Sequence, residues 1–269
     1  MLNMNVFKKI INRLKKYSNK IYSFFFIKLF FDKEKILKLE KLKFSSLNLN
    51  YDKSINLLNS VIEKKEYDPN TDSIHWLLAA AFSLKSTSDI NRILEIGTYD
   101  GEFTKILALL FPSAEITTVD LPEEDPILKK LYNRDSQKVL SEYLKKQKKN
   151  TAAENIKSIK KNTFFLLDKI DPKNKFDFIW VDGGHTYPDI AWDLSNSYFL
   201  LSENGILMSD DTILHKNKYN NGYVSTDSRE VLNYIAERSK VSIFHFLKRL
   251  DPHLFSLKHT RKYVTVLKK

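Results

Sequence analysis

Residues 91–101 read Asn91-Arg-Ile-Leu-Glu-Ile-Gly-Thr-Tyr-Asp-Gly101. Ile93, Leu94 and Ile96 form a short apolar run, Gly97 and Gly101 close it, and an amphipathic run from Phe103 to Phe111 follows. That order is strand, tight turn, helix. A glycine directly after a strand permits positive φ and lets a ligand approach without meeting a Cβ. Glu95 stands at the strand's end, and the helix behind the turn directs its unsatisfied N–H groups into the crevice. The spacing is Glu-x-Gly-x-x-x-Gly, without the third glycine of a dinucleotide turn or the lysine of a phosphate loop, so it does not predict a pyrophosphate cradle. Taken alone, the stretch also fits an ordinary strand-to-helix turn.

The chain downstream narrows that choice. Glu115 to Asp120 is a second strand ending in an acid, 19 residues beyond Gly101. An acid in that place accepts ribose hydroxyls in nucleotide-binding sheets, though a strand-terminal Asp also caps turns. Pro122 to Asn150 is a charged helical insert, long enough for a lid but without identifiable chemistry. Ile156 to Ile159 is a third strand, followed by Asn162-Thr163 and a helix over Phe164 to Ile170.

The segment KFDFIWVDGGHTY, Lys175 to Tyr187, carries a buried strand over Phe176 to Val181 and places Asp182 at its carboxyl end. Open α/β sheets bind ligands there. A helix over Pro188 to Leu201, then Gly205, leads to a strand Ile206 to Ser209 ending in Asp210 and Asp211. Three carboxylates converging without Lys or Arg beside them repel each other, and a hard divalent cation is the simplest compensation. His185 titrates near neutral pH and is an alternative to Asp182 as proton acceptor; equally, it can orient Asp182. His75, on an almost wholly apolar helix over Ile74 to Leu84, reads as a packed side chain. The segment Lys216 to Asp227 reads as a loop over the site.

The glycine stretch resembles motif I of the class I S-adenosylmethionine-dependent methyltransferases. The strand ending Asp-Gly-x-His-x-Tyr, the helix, Asn204-Gly205 and the strand ending Asp-Asp resemble the methyltransferase-24 group. That group is similar to Mg²⁺-dependent sugar O-methyltransferases and, more distantly, to catechol O-methyltransferases. The resemblance spans roughly residues 70–267. It implies a three-layer, Rossmann-like α/β fold with a seven-stranded, mostly parallel sheet and a reversed final strand at the sheet edge. It further implies S-adenosylmethionine contacts from Glu95, Gly97, Thr98, Tyr99, Gly101, Asp120, Asn162 and Asp182. A Mg²⁺ or other divalent cation would lie on Asp182, Asp210 and Asp211, and the acceptor would be a sugar, glycan or other small-molecule hydroxyl. The sugar enzymes tend to carry Asp-Leu-Tyr where this chain has Gly184-His185-Thr186, so the base stays open between Asp182 and His185. Two further readings are a metal-independent N-methyltransferase and a membrane-surface binding protein with a non-catalytic methyltransferase core.

Composition adds exclusions. The chain has 269 residues, 42% hydrophobic and 29% charged, enough for a sizeable core. It has no Cys, which excludes disulfides, thiolate catalysis and Cys-bound zinc. The net charge of +11 is uneven: residues 1–45 hold twelve Lys/Arg against three Asp/Glu, and the remainder is close to neutral. Residues 1–50 are therefore read as a basic amphipathic helical extension and 51–269 as the methyltransferase domain. The aromatic run Ile21 to Phe31 is short of the roughly 20 residues that span a bilayer, and no signal cleavage site follows it. A basic, aromatic helix over residues 1–44 fits an anionic membrane surface or packs on protein, and nucleic acid is the least favoured partner. The expected location is cytoplasmic, peripheral at the inner membrane face. Nothing in the sequence indicates the oligomeric state.

Overall fold

Short apolar runs alternating with helices build a mixed sheet whose strands are bound by backbone pairing and whose central strands are buried on both faces. The computed structural model describes residues 32–63, 66–86, 89–130, 134, 136–215, 225–251 and 261–269, together with Leu14, Ser18 and Ile21. In chain order the elements are α1 (Lys33–Ser46), α2 (Tyr51–Val61), α3 (Ile74–Ser86), β1 (Arg92–Ile96), α4 (Glu102–Leu110), β2 (Glu115–Asp120), α5 (Pro126–Lys130) and α6 (Gln137–Asn150). There follow β3 (Ile156–Lys160), a 3₁₀ helix (Thr163–Asp168), β4 (Phe176–Val181), α7 (Asp189–Leu200), β5 (Leu201–Ile213), α8 (Asp227–Ser239), β6 (Ser242–Leu247) and β7 (Lys262–Lys268).

The sheet order is β3-β2-β1-β4-β5-β7-β6. β3, β2, β1, β4 and β5 pair in parallel, and β7 runs antiparallel to both its neighbours. The reversed final strand is thus present but lies inside the sheet, between β5 and β6; the edge belongs to β6. The order turns round between β1 and β4, which opens a crevice at their carboxyl ends.

Side chains leave each strand alternately to the two faces. Ile93, Phe178 and Trp180 enter a layer with Phe44, Leu58, Leu77, Phe103 and Leu107 from α1 to α4. Leu94, Ile96, Ile179 and Val181 enter the opposite layer with Leu166, Ile190, Leu194, Leu232 and Ile235 from the 3₁₀ helix, α7 and α8. This is the three-layer α/β arrangement.

The part of the basic segment over 33–46 packs on this core. Phe44 is fully buried, worth roughly 1.5–3 kcal/mol. Its ring meets those of Phe246 and Tyr51 edge-on, at centroid distances of 5.3 and 5.1 Å. Glu40 Oε2 accepts from Leu247 N (3.1 Å) and Lys43 Nζ donates to His245 O (2.7 Å), so α1 side chains satisfy outward groups of the edge strand. Apart from Leu14, Ser18 and Ile21, the expected amphipathic helix before Asp32 lies outside the described residues, as do residues 216–224 of the expected loop. No helix among the described residues is long and apolar enough to cross a membrane.

Candidate active site

The first half of the crevice is the turn after β1. Gly97 has φ +94° and Gly101 φ +77°, with Tyr99 between them at φ +49°. A Cβ on Gly97 would lie 2.3 Å from the carbonyl oxygen of Asp182. The glycine is therefore required by the neighbouring end of β4, which approaches closely enough for Asp182 N to donate to Ile96 O (2.8 Å). Glu95 is buried under the turn, and its Oε2 accepts from Thr104 Oγ1 (2.5 Å) and Thr118 Oγ1 (2.6 Å). Thr118 Oγ1 in turn meets Thr98 Oγ1 at 2.6 Å. Burial pushes the Glu95 carboxyl up to about 7, against the two hydroxyls that favour the anion.

Asp120, at the end of β2, is the next group along the crevice. Its Oδ2 accepts from Tyr143 Oη (2.9 Å) and Gln147 Nε2 (2.7 Å), and its Oδ1 accepts from Leu121 N (3.0 Å). Both side chains come from α6, the helical insert. Gln147 also donates to Tyr99 O (2.5 Å), Asn150 Nδ2 to Asp100 O (2.9 Å) and Lys146 Nζ to Asp100 Oδ2 (2.6 Å). One face of α6 thus grips the glycine turn. Asn162 caps the 3₁₀ helix, its Oδ1 accepting from Phe164 N (2.9 Å).

The second half is built at the ends of β4, β5 and β6. Ser209 pairs with Thr265 and Thr212 with Tyr263, so β5 carries one extra residue against β7. Asp211 takes that bulge with φ +49°, a conformation Asp tolerates better than most residues. In a regular strand Asp210 and Asp211 would face opposite sides. With the bulge, Lys248 Nζ bridges Asp210 Oδ2 and Asp211 Oδ1, the latter at 2.7 Å. Lys262 Nζ holds Asp211 Oδ2. His185 Nε2 lies 3.5 Å from Asp182 Oδ1 and 3.8 Å from Asp211 Oδ2. Lys248 is fixed from behind: its N donates to Lys262 O (3.0 Å) and its O accepts from Ile74 N (2.9 Å).

The charges divide clearly. Burial opposes the Lys248 ammonium, but Asp210 and Asp211 outweigh it and hold the lysine above its usual range. Burial also opposes the Asp211 carboxylate, while Lys248 and Lys262 hold it down at about 2. The Asp182 carboxyl is pushed well up by burial and then by Asp210. Its side chain is 35% exposed to the crevice. His185 is lowered by burial, against Asp211 and Asp210, and stays neutral at physiological pH. Behind the cluster His75 stacks on Trp180 (4.5 Å, 18°) and bonds Ser73 Oγ through Nδ1 (2.6 Å). Burial lowers it to about 3, and it is a packed core histidine, as its apolar helix predicts.

Residues 94–212 match a protein family described as a methyltransferase domain. Those residues form a methyltransferase domain. The fold is shared with solved O-methyltransferase structures. A caffeoyl-CoA O-methyltransferase candidate from Staphylococcus aureus is 14% identical, with 88% of this chain and 99% of that one covered and a TM-score of 0.51. An O-methyltransferase from Bacillus cereus, solved with S-adenosylhomocysteine, is 13% identical over 93% and 97% of the two chains, with a TM-score of 0.50. No curated protein matches the sequence.

In this methyltransferase two expectations change. The premise that Asp182, Asp210 and Asp211 converge without a basic partner does not hold, because two lysines already occupy three of the four Asp210 and Asp211 oxygens. Among the described residues no group of His, Asp or Glu is arranged to hold a metal ion. A divalent cation does not fit the site as it stands. Second, Asp210 and Asp211 lie within β5, on its bulge, and not past its end. Lys248, Lys262, Tyr143 and Gln147 are the site residues that sequence reasoning missed. A separate cavity of about 400 Å³, lined by Lys85, Asp177, Glu203 and Lys268, lies at the opposite, amino-terminal ends of the strands and has no part in this site.

Proposed function

We propose that this methyltransferase moves the methyl group of S-adenosylmethionine to a hydroxyl of a small-molecule acceptor, a sugar or glycan hydroxyl first. The observation that carries the reading is the crevice at the β1/β4 reversal, with Asp120 and the glycine turn on one side and the Asp182–His185–Asp211 cluster on the other. The donor set suits the cofactor. Asp120 Oδ2 already accepts from one phenolic O–H and one amide N–H, so this carboxylate is aimed to accept from donors in the crevice, as a ribose requires. The cofactor, when bound, supplies a methyl group on a positively charged sulfur.

The residues do the rest. The turn 97–101 and Asp120 fix the donor, and alignment of the two reactants is the main source of rate. As the oxygen–methyl bond forms and the sulfur–methyl bond breaks, the hydroxyl proton must leave. His185 is neutral, partly exposed and beside both Asp182 and Asp211, so it takes that proton and the carboxylates stabilise the imidazolium that results. Asp182, whose carboxyl is pushed up by burial and by Asp210, is the alternative base. The preference for a sugar hydroxyl rests on resemblance. Anchoring of residues 1–44 to an anionic membrane face is supported only by their charge.

Calorimetric titration of S-adenosylhomocysteine into the purified chain tests the cofactor half, with micromolar binding expected. An acceptor screen over sugars, catechols and amines follows. No binding of S-adenosylhomocysteine sinks the reading; turnover of amines alone replaces the hydroxyl with a nitrogen acceptor.

A further inference from the structure

The cluster at the ends of β5 and β6 has a cation of its own. We propose that the Lys248 ammonium is the resident cation of this crevice, neutralising Asp210 and Asp211 so that methyl transfer proceeds without a divalent metal. The inference deepens the proposed function and rests on it for the reaction, but not for the metal chemistry itself.

Three observations place the lysine there. First, its Nζ bridges two carboxylates from consecutive residues, Asp210 and Asp211, through the bulge that turns both to one side. Second, the side chain is largely buried, 15% exposed, and its backbone is tied to both α3 and the start of β7. A surface lysine that samples many rotamers contributes little; one anchored at both ends and held by two carboxylates is preorganised. Third, Lys262 takes the remaining oxygen of Asp211. A cation entering this cluster has to displace two ammonium groups from acids they already neutralise, and Mg²⁺ relinquishes its own waters reluctantly. Like charges at such separations repel strongly in a partly buried site.

Lys248 is a positioning residue here. It fixes Asp211, which with Asp182 flanks His185, and it supplies positive charge near an oxygen that becomes partly anionic as its proton leaves. The proton goes to His185 and the methyl to the acceptor oxygen. No metal-bound oxygen is needed for either.

The test begins with the unaltered full chain. Mn²⁺ is titrated in and the free ion read by electron paramagnetic resonance, with S-adenosylhomocysteine affinity measured in parallel. Expected is no stoichiometric Mn²⁺ binding at micromolar concentrations, and methyl transfer that survives excess chelator. In Lys248→Met, and separately in Lys248→Gln, Mn²⁺ affinity is expected to rise by on the order of 100-fold, the direction set by removing one unit charge a few ångströms away. A structural role alone would not create a metal site. One tight Mn²⁺ per unaltered chain, or activity lost to chelator and restored by Mg²⁺, overturns the proposal. So does a folded Lys248 variant whose Mn²⁺ affinity is unchanged. Should neither variant fold, the unaltered chain's Mn²⁺ titration decides alone. Failure to bind S-adenosylhomocysteine removes the methyltransferase reading, whereas the Mn²⁺ titration still reports on Lys248.

Discussion

Replacing Glu95 with glutamine should change the pH dependence of stability within a defined window. Glu95 is 1% exposed, and burial moves its carboxyl from 4.5 to about 7. Below about pH 4.5 both the folded and the unfolded chain hold the proton, and the shift has no effect. Between 4.5 and 7 the unfolded chain releases its proton while the folded chain keeps it, so stability falls as pH rises. Above 7 the loss is complete. At about 1.4 kcal/mol for each pH unit, it comes to about 3 kcal/mol. Glutamine carries no charge and keeps a carbonyl for the Thr104 and Thr118 hydroxyls, so Glu95→Gln should remove this part of the slope. Urea unfolding at about pH 5, 6, 7 and 8 reads it directly. The variant should match the parent, or fall slightly below it, at the acid end and exceed it by roughly 1–3 kcal/mol at the alkaline end. Parallel curves for the two proteins would refute the reasoning and show that Glu95 ionises in place.

Four other outcomes follow from the geometry. Gly97→Ala places a Cβ 2.3 Å from Asp182 O at a positive φ, and should cost roughly 2–5 kcal/mol in the same unfolding assay. Tyr143→Phe removes a donor that Asp120 must release before ribose hydroxyls can bind; S-adenosylhomocysteine should bind up to about 10-fold tighter by calorimetry, and weaker binding would mean that the phenol contacts the cofactor. His185→Ala should lower kcat by roughly 100-fold while leaving S-adenosylhomocysteine affinity unchanged. Asp211, held at about 2, contributes stability that is present above its ordinary 3.8 and is lost as pH falls from there towards 2; Lys262→Met should therefore move the midpoint of acid unfolding, followed by circular dichroism, to higher pH.

The centre of the parallel sheet was legible because β1, β2 and β4 are apolar runs that end in, or are followed directly by, an acid or a glycine. Glu115–Asp120 and Phe176–Val181 have the bounds that the residue pattern predicts. Asp182 and His185 were identifiable for the same reason, since they follow directly on a parallel strand that opens into the crevice. What could not be read was contributed from far away or by backbone conformation. Lys248 and Lys262 come from the end of β6 and the start of β7, and in a chain with 44 Lys/Arg no local signal marks them. The bulge at Asp211 is a left-handed residue inside a strand, set by its pairing with β7. Tyr143 and Gln147 look like the ordinary apolar and polar faces of a charged helix until α6 docks on the glycine turn.

The clasp between α1 and β6 also sets a timetable. Glu40 and the Leu247 amide it receives are 207 residues apart. A ribosome adding 5–20 residues per second needs roughly 10–40 s to span that distance. Throughout that interval Phe44 has no Phe246 to meet, and the helix bearing it waits as an apolar surface in a nascent chain. The segment 33–46 is among the first parts of the described chain to be made, and its docking on β6 waits until almost all of the chain has been synthesised.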